Sequence, residues 1–504
     1  MSGFHWVGRV AGLFDMYSQA RAARLTVAAA ILAGGALLAF GRVEGAIPFI
    51  VLIAASHERF FERMADRFSR RPWLLFTPAL VIMAVQLAYP APAAIDDLLR
   101  HIASGFYPGG YRDMYVYSNL PQAGLYPAFD WMAGGLGRLL QPLPALWTIQ
   151  GLAWSSFVVV FLLAAHRVLP AGEDRAFWLL GALVLVVSAL VVRLSLARPE
   201  IFMTVWALTA LLARGRLGIA LWCATGLLMG TGYWLAPLYF VTAVLLPGAL
   251  RTRLACGAVL TAAWVLGWQA VTGVWPWQNL QWLWDVMRAR DARFNVGENM
   301  SVINLLAMPE MLVLIVPAIW TLARRGGNGW LLALAVFYAL SNQARYVGMI
   351  APLLALYILS ALTETRLPWR PPTRFVALIA SMVLTVDAMT YVPRLDQLPR
   401  LGLPDGAVML SGFNSAAFAA PFFNPGTVRL SPPMEVGAAE PWVQQIIGDL
   451  HDGRFDCKSV EGRAFTHLVE FSLRGSPPPC LELVETDGGW RLWKIRGQGA
   501  ATTE

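Results

Sequence analysis

Charge is what this sequence has least of. Only 14% of its 504 residues are Asp, Glu, Lys or Arg, while 57% are hydrophobic. A soluble multidomain protein carries about a quarter charged residues, so that class is excluded and a polytopic membrane protein is expected. Cysteine is scarce too, with four in the chain. Cys223 and Cys256 lie inside apolar runs and read as packing residues, whereas Cys457 and Cys480 both fall in the polar last stretch. A disulfide between those two would imply an oxidising compartment. No clustered ligand spacing surrounds His451 or His467, which excludes a zinc-site reading for them. The net charge of +8 is spread as basic pairs between apolar runs, not gathered on one patch, and this argues against nucleic acid. Met1 to Arg24 has no short apolar core followed by small residues, so no removable signal peptide is expected.

What is present is a series of apolar runs. A membrane helix needs roughly 20 mostly apolar residues. Spans are expected near 25–41, 46–56, 72–89, 146–165, 177–192, 199–213, 217–233, 234–249, 254–272, 302–322, 329–344, 346–362 and 374–391. The total is about thirteen, and it divides the chain into a membrane domain, 1–391, and a tail, 392–504. Short Arg-rich loops stay in the cytoplasm, and here they include "HERFFERMADRFSRR", "HRVLPAGEDR", "RGR", "RTR" and "ETRLPWRPPTR". They set the N-terminus inside, and place loops 90–145 and 272–301 and the tail outside. An outside tail agrees with the Cys457 and Cys480 pair. The tail reads as a small soluble α/β domain: "EPWVQQIIGDLHDGRF" reads as an amphipathic helix, and "FTHLVEF", "CLELVET" and "WRLWKI" read as strands bounded by Gly and Pro turns.

Polar residues near the membrane gather on the outer side. The first loop begins with "AAIDDLLRH", in which Asp96 and Arg100, and Asp97 and His101, are spaced i to i+4, as in a capped interfacial helix. Further along, "FYPGGY" has the Gly and Pro content of a segment able to close over a substrate. The second loop carries Trp275, Trp277, Trp282 and Trp284, then Asp285, Arg288, Arg290, Asp291 and Arg293. This segment suits the headgroup layer, where Trp284 and Arg288 are candidates to contact lipid or substrate. "RLSLARPEIF" (Arg193, Arg198, Glu200) and "SNQARYVGMIAP" (Arg345) set guanidinium groups where apolar runs meet the outer surface. A guanidinium there is costly unless paired or functional, and its fork matches phosphate.

This layout resembles the GT-C superfamily of integral-membrane glycosyltransferases, which includes the protein O-mannosyltransferases and the bacterial aminoarabinose transferases. Two short segments precede the first loop where the archetype has one span. The resemblance implies a sugar transferred from a polyprenyl-phosphate donor to a glycan, lipid or protein acceptor outside the cell inner membrane (EC 2.4 class). Carried across, Asp96 or Asp97 looks like the catalytic acid, and Arg345, with Arg198, like the holder of the donor phosphate. Glu200 and His101 are candidate substrate contacts, and the role of "RPE" stays open. Some members use a divalent metal, so Mg or Mn is a candidate cofactor. A single acid without a nucleophile–base pair suits direct displacement with inversion. Two alternatives are a transporter or flippase of a lipid-linked intermediate, disfavoured by the near absence of mid-membrane charge, and a non-catalytic scaffold.

Overall fold

The computed structural model describes residues 98–118, 126–172, 175–281, 309–324, 326–340, 346–362, 400–412, 414–432, 439–470, 473 and 476–496. Asp96, Asp97, Trp284, Arg288 and Arg345 lie outside the described residues, as do the expected spans at 25–41, 46–56, 72–89 and 374–391.

The segment expected to form the first outer loop is largely helical among its described residues. Helix α1 (Leu98–Ser104), the single turn α2 (Tyr111–Met114) and α3 (Pro127–Leu140) precede the bundle. The bundle helices are α4 (Pro142–Val168), α5 (Arg175–Leu196), α6 (Pro199–Leu208), α7 (Gly215–Gly230), α8 (Ala236–Phe240), α9 (Leu250–Thr272), α10 (Pro309–Arg324), α11 (Gly329–Leu340) and α12 (Val347–Ser360). Their ends fall close to the expected spans, because Arg-, Gly- and Pro-rich breaks interrupt each apolar run. Two of them, α4 and α9, are long and apolar enough to cross a membrane; others, such as α6, α7, α11 and α12, are apolar but shorter.

These two long helices have different surroundings. In the most apolar window of α4, 67% is buried against neighbours, whereas the figure for α9 is 17%. Leu254, Val259, Leu266 and Val271 of α9 are more than half exposed. In water each would forgo about 1.5–3 kcal/mol of burial, a loss that lipid contact removes.

The tail contains a five-stranded mixed sheet in the order β2-β1-β3-β5-β4, built from β1 (Val408–Ser411), β2 (Arg429–Leu430), β3 (His467–Glu470), β4 (Leu481–Asp487) and β5 (Trp490–Ile495). β1 runs parallel to β2 and β3; β5 runs antiparallel to β3 and β4. Side chains alternate across it. Val408, Leu410, Leu468, Trp493 and Ile495 pack on helix α14 (Pro441–His451). The Cys457–Cys480 disulfide lies on the same side of the chain fold, beside Val460 and Leu481. Glu470, 1% exposed, is satisfied by the indole of Trp493 (2.9 Å), the amide of Leu473 (2.6 Å) and Arg491 (3.1 Å).

The other face of the sheet is covered by the first loop. Met409, Leu430, Val469 and Leu492 share a core with Ala103, Tyr107, Met114 and Tyr115. Helix α13 (Asn414–Phe423) lies between them and the bundle: Ala416, Ala417 and Ala420 join this core, and Phe418, Ala419 and Phe422 join the bundle core. Residues 115–118 also extend the sheet past β2, with Val116 N–H donating to Leu430 O (2.9 Å) and Glu440 N–H to Tyr117 O (3.0 Å). An edge strand is thereby closed from within the chain. "FYPGGY" is not a free lid: Tyr107 is buried and its hydroxyl donates to Val428 O, which ties the segment to the tail.

Close backbone approach seats α1. A Cβ on Gly105 would stand 2.2 Å from Gly134 Cα of α3, so both positions must lack a side chain. Gly134→Val is expected to lower stability by about 3 kcal/mol, whereas Gly135→Ala, facing open space, leaves the thermal midpoint in detergent unreduced. The tail contact carries a pH signature. Burial pushes the Tyr107 hydroxyl up to about 12, opposed by the Val428 and Gly426 backbone groups. The folded state therefore holds this proton more tightly than the unfolded state, whose value is 10.0. Stability on the order of 2 kcal/mol should be present below pH 10 and lost as the pH rises toward 12. Tyr107→Phe should abolish that slope in pH-dependent unfolding.

Candidate functional site

Helix α1 delivers the first polar group into the interior. In "LLRHIAS", Leu98, Leu99 and Ile102 pack on the bundle core, and His101 shares their stripe by helical spacing. Its imidazole is 1% exposed, so burial demands a partner. Asp130 of α3 supplies one, its carboxylate accepting from His101 Nδ1. Tyr111 of α2 closes the cluster, with its hydroxyl 2.7 Å from His101 Nδ1 and donating to Asp130 Oδ1 at 3.1 Å. Arg100 lies over the rings of Tyr111 (5.8 Å) and Phe418 (5.7 Å), linking the cluster to α13.

With Nδ1 turned to Asp130 and Tyr111, Nε2 is the ring nitrogen left facing the interior. Nε2 is buried and has no hydrogen-bond partner among the described residues. Tyr126 and Phe129 meet the ring edge to face at 5.3 and 5.1 Å. A carboxylate that orients an imidazole and leaves Nε2 open is the arrangement of a general base or proton carrier.

A second polar group forms where α5 turns into α6. Ala197 takes φ +47°, a left-handed conformation unusual for a residue with a Cβ, and Pro199 follows at the start of α6. This tight reversal sets Glu200, 4% exposed, 3.7 Å from Arg193 Nη1. One turn on, the buried Thr204 Oγ1 has no hydrogen-bond partner among the described residues and faces Gly348, where a Cβ would stand 3.4 Å away. Arg198 is half-buried at the N-cap of α6 and makes no side-chain cap.

Aromatic rings connect the two groups. Ring centroids run from His101 to Tyr126 (5.3 Å), Tyr126 to Tyr233 (5.8 Å), Tyr233 to Tyr239 (5.7 Å) and Tyr239 to Tyr346 (6.2 Å). Glu200 is within electrostatic reach of Tyr239. Tyr346 is the chain neighbour of Arg345 and opens α12. Of the residues singled out by sequence, His101 thus stands at one end of this chain of rings and Tyr346, the neighbour of Arg345, at the other. Asp130, Tyr111 and the tyrosine series were not assigned a role from sequence; the recurrence of Tyr in "YRDMYVYS" was the available signal. Among the described residues, no three His, Cys, Asp or Glu side chains converge as a divalent metal requires.

Asp130→Asn removes the charged acceptor shared by two donors and should lower stability by about 1–3 kcal/mol. Asp113→Asn, whose carboxylate takes the exposed Gly109 amide at 2.6 Å, should cost less than about 1 kcal/mol in the same thermal unfolding assay. No family model matches this chain, and no curated protein matches it.

Proposed function

We propose that the chain is a membrane glycosyltransferase that moves a sugar from a polyprenyl-phosphate donor to an acceptor at the outer face of the bacterial inner membrane. The observation that carries this reading is the buried cluster in which Asp130 and Tyr111 hold His101, a residue of the helix that directly follows Asp96 and Asp97 in the chain. A transfer of this kind needs a group to take the acceptor's proton and a cation to hold the departing phosphate. Asp96 or Asp97 takes the proton as the acceptor oxygen or nitrogen attacks the anomeric carbon and the bond to the donor phosphate breaks, and His101, held by Asp130 and Tyr111, positions the helix that follows the two acids. Arg345 and Arg198 hold the phosphate, with Glu200 and Arg193 setting the end of α6. Trp284 and Arg288 contact lipid or substrate from the second loop. About thirteen spans, a cytoplasmic N-terminus and a periplasmic tail belong to the same proposal.

Its test is a set of single variants, Asp96→Asn, Asp97→Asn and His101→Gln, with lipid-linked sugars and surface glycans profiled by mass spectrometry. The catalytic carboxylate variant should lower transfer by about 10²–10⁴-fold, with the lipid-linked donor accumulating. Unchanged profiles at normal expression in all three would overturn the enzyme reading in favour of a scaffold. Normal transfer by solubilised protein, with donor missing from the outer leaflet of cells, would instead mark a flippase.

A further inference from the structure

The opposite end of the bundle holds a basic cavity. Chain alternation puts the starts of α4, α6 and α12 at one end and their last turns at the other, and the cavity lies among those last turns. It measures about 370 Å³, and Arg167, Arg214 and Arg253 line it together with Asn328, Trp330 and Ser360. Among the described residues that line it there is no acid, and three guanidinium groups share one space.

The cavity is built rather than incidental. Arg253 is fixed by two backbone acceptors, donating from Nε to Gly248 O (2.9 Å) and from Nη1 to Val244 O (2.9 Å). Its Nη2 takes no part in either bond. The 326–330 turn is held to the end of α12, with Ser360 Oγ accepting from the Asn328 amide (2.9 Å) and the Tyr357 hydroxyl donating to Gly326 O (2.8 Å). Helices α7, α9 and α11 start beside it, and helix N-termini favour anions. Leu250 and Leu254 of α9, next to Arg253, are exposed apolar residues along which an acyl chain could lie.

From this geometry we infer that the cavity binds a phosphate ester, and the adjoining apolar surface favours the headgroup of an anionic phospholipid over a soluble phosphate. Guanidinium groups are the side chains best matched to phosphate, and basic pockets between membrane helices take anionic headgroups. The site is independent of the proposed transfer reaction and lies at the far end of the bundle from His101 and Glu200.

The test uses full-length protein in nanodiscs of equal parts phosphatidylcholine and phosphatidylglycerol, with retained lipid counted by native mass spectrometry. Wild-type protein should retain phosphatidylglycerol selectively. Arg167→Gln/Arg214→Gln should lose that enrichment by roughly twenty-fivefold, at about fivefold per arginine. Arg216→Gln/Arg251→Gln, which removes two exposed basic residues that do not line the cavity, should keep it. Both altered pairs are exposed, and unchanged circular dichroism melts will show that neither disturbs folding. Inorganic phosphate in lipid-free detergent forms the second arm. Thermal stabilisation of wild type by phosphate, lost in Arg167→Gln/Arg214→Gln and without lipid selectivity, would assign the same site to a soluble phosphate. Equal losses in the two double variants, or no dependence on Arg167 and Arg214 with either probe, would overturn the inference.

Discussion

Helix α13 has to serve two hydrophobic cores at once. Its alanines at 416, 417 and 420 face the sheet, and Phe418, Ala419 and Phe422 face the bundle. Such a helix cannot leave either side without exposing apolar surface to water, so the tail is held on the first loop by burial more than by any single bond. The alanine face suits the side where α1, α2 and the sheet crowd together, while the phenylalanines fill the wider space over the bundle. The Gly105–Gly134 contact acts with it, because only that approach brings α1 within reach of both cores.

The candidate site follows from that packing. Once α1 is clamped between α3 and α13, His101 has no route to solvent and must find its partners inside. Asp130 and Tyr111 come from separate helices of the same loop, so the cluster exists only when the whole loop is folded. The tyrosines at 126, 233, 239 and 346 continue the polar-edged interior from the loop to the start of α12. Glu200 reaches this interior through the strained reversal at Ala197. The two ends of the bundle differ in chemistry as a result: one has acids, imidazole and phenols, and the other has arginines and no facing acid among the described lining residues.

Much of the architecture was legible before any coordinates. Apolar runs broken by Arg and Gly located the helices, since helix position follows from local composition. Short runs bounded by Gly and Pro turns located β3, β4 and β5, and two cysteines in one polar stretch pointed to their bond. The site was legible only in part. His101 and Glu200 stood out as ionisable residues beside apolar runs. Spacing alone offered His101 the acid four residues before it, yet the described partner, Asp130, lies 29 residues later. No periodic signal spans that distance.

Sequence by itself therefore determined that the chain is rich in apolar helices with a small sheet in its tail, and the approximate helix and strand positions, because each depends on neighbours within a few residues. Tertiary structure alone decided that the tail and the first loop form one core, that "FYPGGY" is pinned rather than free, and that Asp130 and Tyr111 meet His101. Those outcomes depend on which surfaces are small enough to approach closely and which buried polar groups remain unsatisfied until they do, and both are properties of packed elements, not of any segment taken alone.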